Sequence, residues 1–230
     1  MKMESETASE SGTGNPGGRN LYCKPEQVSP AEIEARSFEI ITEELGDFPL
    51  QPGTEMIVKR CIHTSADFDY ARNLCFSDHA AERGMEALRN GAAVVTDTQM
   101  ARAGINKSVL DRYRGEVFCF MSDEDVTLTA KERGVTRASV SMEKAAALLS
   151  GPVIYAVGNA PTALIRLSEL IQEGLRPSLI IGVPVGFVNV VQSKELIMSQ
   201  TEVPFIVAKG RKGGSNIAAC IVNALLYQLG

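Results

Sequence analysis

The chain holds only two histidines, and one of them, His63, stands in R-C-I-H-T-S-A-D-F-D-Y-A (residues 60–71), between an apolar run and a turn of small hydroxyls and acids. An imidazole titrates near neutrality, so it can both give and take a proton at working pH. Residues 54–62 repeat with the period of a helix, which puts His63 near a helix C-terminus, where the helix dipole favours a cation. That setting suits a proton donor. The other reading of an isolated imidazole is a packed or solvated side chain. No G-x-S-x-G elbow and no Ser–His–Asp order supports nucleophilic hydrolysis. His79, in S-D-H-A-A-E, falls at a helix start among charges and reads as solvated.

A second group of residues could hold an anion. K-G-R-K-G-G-S-N (residues 209–216) follows a Val/Ile run and opens a helix. Gly213 and Gly214 let the backbone approach a ligand, the free N–H groups of a helix start at Ser215 favour negative charge, and Lys209, Arg211 and Lys212 add positive charge. The spacing is neither G-x-x-x-x-G-K-[ST] nor G-x-G-x-x-G, so it names no nucleotide; a solvated tight turn is the alternative. In G-N-A-P-T-A-L, Asn159 ends a strand and Pro161 enters the next helix, so Asn159 either caps that helix or faces a ligand. Arg137, just before another helix, could grip a carboxylate with both arms of its guanidinium or lie free in solvent.

The elements that must position these groups read as an α/β fold. A-A-V-V-T-D, E-V-F-C-F-M, P-V-I-Y-A-V, S-L-I-I-G-V and P-F-I-V-A-K are short runs of the kind buried on both faces of a parallel sheet. Amphipathic helices are expected over roughly 139–149, 161–173, 190–200 and 215–226. The alternation predicts a three-layer α/β/α architecture around a central, mainly parallel sheet of about five strands, with extra N-terminal helices. Ser29, Pro30 and Glu32 predict an N-cap, a first-turn proline and a capping box, with Val28 and Ile33 as a hydrophobic staple; Gly46 ends that helix. Residues 1–28 are expected to form a disordered tail and residues 29–230 a single domain. Ligands of such sheets bind beyond the carboxyl ends of the strands, where the polar loops 96–100, 158–162 and 209–216 and the glycine-bracketed loop 182–189 should gather.

Bulk composition closes off several functions. The 230 residues are 44% hydrophobic and 22% charged, with a net charge of −5, no Trp and 6% aromatics. Neither a nucleic-acid surface nor an anionic-membrane surface fits that balance. The five cysteines are scattered singly, which indicates reduced thiols of a cytoplasmic protein and no disulfide frame; with two histidines there is no obvious metal site. The longest apolar stretch, residues 179–191, is broken by Gly, Pro and Asn and cannot span a bilayer.

Taken together, E-A-R-S-F-E-I-I, R-C-I-H-T-S-A-D-F-D, V-V-T-D-T-Q-M, V-G-N-A-P-T-A-L, I-I-G-V-P-V-G-F-V-N-V-V-Q-S-K-E and K-G-R-K-G-G-S-N-I-A-A resemble, in order and from about residue 30 to 226, the precorrin-8X methylmutases of cobalamin biosynthesis. The resemblance implies an isomerase that shifts the methyl on C-11 of a corrin-type macrocycle to C-12, giving hydrogenobyrinate, or cobyrinate when the ring already holds cobalt. It implies no external cofactor and a homodimer with sites near the subunit boundary. It maps the family's histidine onto His63, as donor of a proton or hydrogen bond to a ring nitrogen, and sets Ser37 and Arg137 near the substrate. A flat apolar ring edged with acetates and propionates would also suit the anion-binding features of Asn159, Lys209, Arg211, Gly213, Gly214 and Ser215. A non-catalytic tetrapyrrole carrier and a flavin- or nucleotide-binding α/β protein are the rival readings.

Overall fold

A computed structural model describes residues 26–230; the expected disordered tail lies outside the described residues as far as residue 25, as does Cys23. The Val/Ile/Phe runs become strands because helices cover both of their faces. The strands are β1 (Leu74–Phe76), β2 (Ala93–Thr96), β3 (Glu116–Phe118), β4 (Val153–Val157), β5 (Leu179–Gly182) and β6 (Phe205–Ala208). They lie in the order β3–β2–β4–β5–β6–β1, all parallel except β1, which runs antiparallel to β6 with Leu74 opposite Ala208.

The helices are α1 (Ile33–Leu45), α2 (Glu55–Ser65), α3 (Tyr70–Asn73), α4 (Ala80–Arg89), α5 (Gln99–Gly104), α6 (Lys107–Arg112), α7 (Glu124–Arg133), α8 (Arg137–Leu148), α9 (Pro161–Gln172), α10 (Val190–Met198) and α11 (Ser215–Tyr227). Apolar side chains of α2, α4 and α11 pack on one face of the sheet, and those of α8, α9 and α10 on the other. The three-layer α/β/α reading therefore holds, with one correction: the sheet has six strands, not about five. Strand β1 is only three residues long, and a three-residue run carries no readable period. The short helices α3, α5 and α6 escaped expectation for the same reason. Helix α7 buries only Val126 and Ala130, too narrow a stripe to read.

The start of α1 also differs. Ser29 donates its hydroxyl to the Glu32 carboxylate at 2.6 Å, and the helix proper begins at Ile33, so the reciprocal capping box does not form. Ile33 is exposed, so the staple with Val28 is not made either. Helix α1 lies on the outside and buries only Ile41, which leaves little packing to enforce the entry angle. Residues 26–28 precede it, with Glu26 paired to Arg36 at 3.1 Å.

In the middle of the sheet Tyr155 is fully buried, and its hydroxyl has no hydrogen-bond partner among the described residues. Burial pushes that phenol up to about 12, so it stays neutral. A buried hydroxyl without a protein partner contributes nothing to offset its lost hydration. Tyr155→Phe is therefore expected to leave the thermal midpoint unchanged or raise it by about 2–4 °C. A fall of several degrees would mean that the hydroxyl holds the core together.

Candidate active site

The order of the parallel strands reverses between β2 and β4, and the crevice at such a switch is where α/β sheets receive ligands. Here a protein carboxylate occupies it. Asp97, fully buried at the end of β2, accepts hydrogen bonds from the backbone N–H groups of Gly158 (2.8 Å), Asn159 (2.8 Å) and Ala160 (2.6 Å). Burial raises its carboxyl above the usual carboxylate value, against the opposing pull of those three donors. Asp97 thus ties down the loop that leads into α9, whose N-cap is Ala160 with no side-chain cap; the Asn159 side chain is exposed and does not cap the helix.

The neighbouring loops fuse into one floor. Thr98 donates its hydroxyl to Ser215 at 2.8 Å, tying the end of β2 to the start of α11. A Cβ on Gly158 would come within 2.7 Å of the Ser215 Cα, so only glycine permits this approach. Gly213 is under the same constraint: a Cβ there would sit 2.0 Å from the Val183 carbonyl oxygen. The Gly214 N–H donates to that oxygen at 2.9 Å, so one of the expected free donors is spent inside the protein.

Above this floor, loops 183–189 and 209–214 form one wall. Gly186 N–H donates to Arg211 C=O at 3.2 Å. The Arg211 guanidinium lies 5.3 Å from the centre of the Phe187 ring, which is 81% exposed beside exposed Val185 and Val188. Lys209 is exposed at the same rim. This wall offers a flat apolar surface edged by cations. Underneath, Lys194 of α10 is buried and donates to the carbonyls of Gly210 (2.8 Å) and Lys212 (2.9 Å). Burial pushes its ammonium down to about 8.

His63 lies in the last turn of α2, exposed, with its ring centre 5.4 Å from that of Phe38 on α1. One turn earlier, Arg60 is clamped between Phe38 (5.3 Å) and Tyr227 (4.6 Å) and paired with Glu34 at 3.0 Å. The helix ends at Ala66 in the left-handed conformation, φ 54°, and the turn beyond it supplies Asp67 and Asp69. Both carboxylates bind Lys212, at 2.7 Å and 2.5 Å. These ion pairs fasten the end of the His63 helix to the glycine-rich loop. Along the packed pair α2–α11, Thr64 meets Cys220 at 3.2 Å, five residues, or roughly 7–8 Å of helix, from Ser215. The imidazole is exposed, on a helix whose end these ion pairs fasten to the glycine-rich loop.

The other expected residues divide between the two faces of the sheet. Ser37 sits beside Phe38 on the His63 side, but its hydroxyl is turned back to the Ile33 carbonyl at 2.8 Å. Arg137 opens α8 on the opposite face, where it donates to Met121 C=O at 3.3 Å, while Thr136 and Thr162 join the starts of α8 and α9 at 2.8 Å. Among the described residues no hydrogen bond or ion pair joins Arg137 to the His63 group. Sequence reading overlooked Asp97, Thr98, Lys194, Asp67 and Asp69. Among the described residues no cluster of three or more His, Cys, Asp or Glu could hold a metal ion, and no helix is long and apolar enough to cross a membrane. Cys61, Cys75, Cys119 and Cys220 are unbridged.

A sequence model described as precorrin-8X methylmutase matches residues 32–228, which takes in the floor, the wall of loops 183–189 and 209–214, and His63. The chain belongs to that family. It is 46% identical to the cobalt-precorrin-8 methylmutase of Priestia megaterium, over 88% of this chain and 89% of that one. It is 45% identical to the cobalt-precorrin-8 methylmutase of Salmonella typhimurium, over 87% and 96%. The crystal structure of the precorrin-8x methyl mutase from Thermus thermophilus superposes with a TM-score of 0.79 at 37% identity, covering 86% of this chain and 97% of that one. Methylmutases are isomerases, intramolecular transferases that need the acceptor and the migrating group on one substrate. The family match favours the methylmutase reading over the nucleotide-binding one.

Proposed function

We propose that the protein isomerises cobalt-precorrin-8 to cobyrinic acid by moving the ring methyl from C-11 to C-12. The observation that carries this reading is the family match running unbroken through the site, from α1 to the end of α11. The C-11–methyl bond breaks as the C-12–methyl bond forms, so no external methyl donor or acceptor is involved. His63 donates its proton, or a hydrogen bond, to a ring nitrogen, which draws electrons from the adjacent carbons and eases the shift; the proton returns to the imidazole when the product forms. The apolar Phe187–Val188 surface supports the flat face of the macrocycle, and Arg211, Lys209, Arg137 and the N–H groups near Gly213, Gly214 and Ser215 receive peripheral carboxylates, with Asn159 and Ser37 at the rim. A homodimer would let Arg137 of one copy approach the His63 group of the other, in keeping with a site near a subunit boundary. We place the protein in the cytoplasm, without a cofactor.

Both curated relatives described above, at 46% and 45% identity, carry the cobalt-precorrin-8 name, which favours the cobalt-loaded ring as substrate. Offering purified protein the metal-free and the cobalt-loaded substrate separately tests it: faster conversion of the cobalt form, followed by its absorption spectrum, is expected. Exclusive conversion of the metal-free ring would reverse the substrate assignment, and binding of both without conversion would point to a carrier.

A further inference from the structure

Lys194 is the only buried cation among the described residues, 1% exposed. Val190, Ser193 and Ile197 share its buried face of α10, so the helix itself carries the ammonium inward. Its two acceptors are the Gly210 and Lys212 carbonyls, at 2.8 Å and 2.9 Å. No carboxylate pairs with it: the nearby acids Asp67 and Asp69 are both held by Lys212. Two carbonyl dipoles do not replace the hydration of a full charge, so the ammonium is left short of negative charge.

Peptide planarity gives this contact a second consequence. In a trans peptide the C=O and the following N–H point in opposite directions. Pulling the carbonyls of Gly210 and Lys212 down onto Lys194 therefore turns the N–H groups of Arg211 and Gly213 up, away from it. Neither N–H has a backbone acceptor among the described residues outside regular elements. Two unpaired N–H groups two residues apart on one side of a loop can be bridged by a single anion, as in backbone anion-binding concavities.

We propose that Lys194 is a positioning residue: by holding the Gly210 and Lys212 carbonyls it aims the Arg211 and Gly213 N–H groups at one carboxylate of the macrocycle, whose charge its ammonium balances from below. This rests on the reading that the crevice takes a polycarboxylate ring. Because burial holds the free ammonium at about 8, an arriving carboxylate raises it, and binding takes up a proton. The charged groups around Lys194 do not supply that anion. Loop 209–212 brings Lys209, Arg211 and Lys212, the last carrying Asp67 and Asp69. Strands β5 and β6 carry no ionisable residue, Glu195 of α10 is exposed, and the acids Glu169 and Glu173 of α9 are engaged with Arg166.

The test is binding of cobyrinic acid, followed calorimetrically in buffers of different ionisation enthalpy. For the wild-type protein about half a proton or more should be taken up near pH 8.5 and almost none near pH 6. The uptake should persist in His63→Gln, which separates it from the imidazole. In Lys194→Met it should vanish, with KM raised about tenfold or more and kcat within about twofold, which is the pattern of lost ligand binding. If Lys194 only braces the loop, Lys194→Met lowers the thermal midpoint but leaves proton uptake as in the wild type, and the proposal is overturned. Should Lys194→Met not fold, the His63→Gln measurement still decides: binding without uptake near pH 8.5 overturns it. Absence of any binding of cobyrinic acid would overturn both this inference and the functional reading beneath it.

Discussion

Asp97→Ala is expected to destabilise the protein by about 3–5 kcal/mol, lowering its thermal midpoint by roughly 10 °C or more. Three backbone donors, from Gly158, Asn159 and Ala160, converge on this one side chain at 2.6–2.8 Å, and all three lie at or near the buried start of α9. Alanine offers them nothing, and the packed floor of Gly158 against Ser215 leaves little space for solvent to substitute. A hydrogen bond to a charged group contributes about 1.5–3 kcal/mol, and an orphaned buried donor costs about 1–3 kcal/mol. Asp97→Asn should recover part of the loss, since its carbonyl can accept from one side while its amide hydrogens oppose the remaining donors. Denaturant unfolding of the two variants measures this directly. A loss below about 1 kcal/mol for Asp97→Ala would mean that the loop leading into α9 is held by something other than this carboxylate.

Much of this arrangement can be read from residue types, and the part that cannot has a common cause. The runs A-V-V-T, V-I-Y-A-V, L-I-I-G and F-I-V-A are legible as strands because both of their faces are buried, and the polar loops that follow them mark the rim. Lys194 was legible too: it stands on the 190–193–194–197 stripe, so a helical reading of Val190–Met198 that asked which residues face inward would have found a buried lysine. Asp97 was not. Its partners belong to the loop after β4, and β2 meets β4 only because the strand order reverses between them, which no hydrophobic period encodes. The link from Lys212 to Asp67 and Asp69 is of the same kind, a long-range pairing between two turns whose local patterns say nothing of each other. Strand β1 failed for want of length, and the capping box at Ser29 failed because α1 has too little buried surface to hold its first turn in place.

His63→Ala is expected to lower turnover by about 10²–10⁴-fold, the usual contribution of a positioned proton donor, while the fold and the affinity for the macrocycle are kept. The side chain is exposed in the last turn of α2, and its recorded ring contact is with Phe38, so truncation removes little packing. The structural links that fix the end of α2, from Asp67 and Asp69 to Lys212, do not pass through the imidazole. Loss of activity would therefore report chemistry and not collapse. On the function proposed above, affinity rests on the rim cations and the Phe187–Val188 surface, which the substitution leaves in place.

The most direct measurement is a single-turnover experiment in which cobalt-precorrin-8 is mixed with excess wild-type or His63→Ala protein and the absorption spectrum is followed while binding is recorded separately. Rapid appearance of the cobyrinic acid chromophore with the wild type, and bound but unconverted substrate with the variant, is the predicted result. Conversion by His63→Ala at the wild-type rate would contradict the assignment of this imidazole as the proton donor.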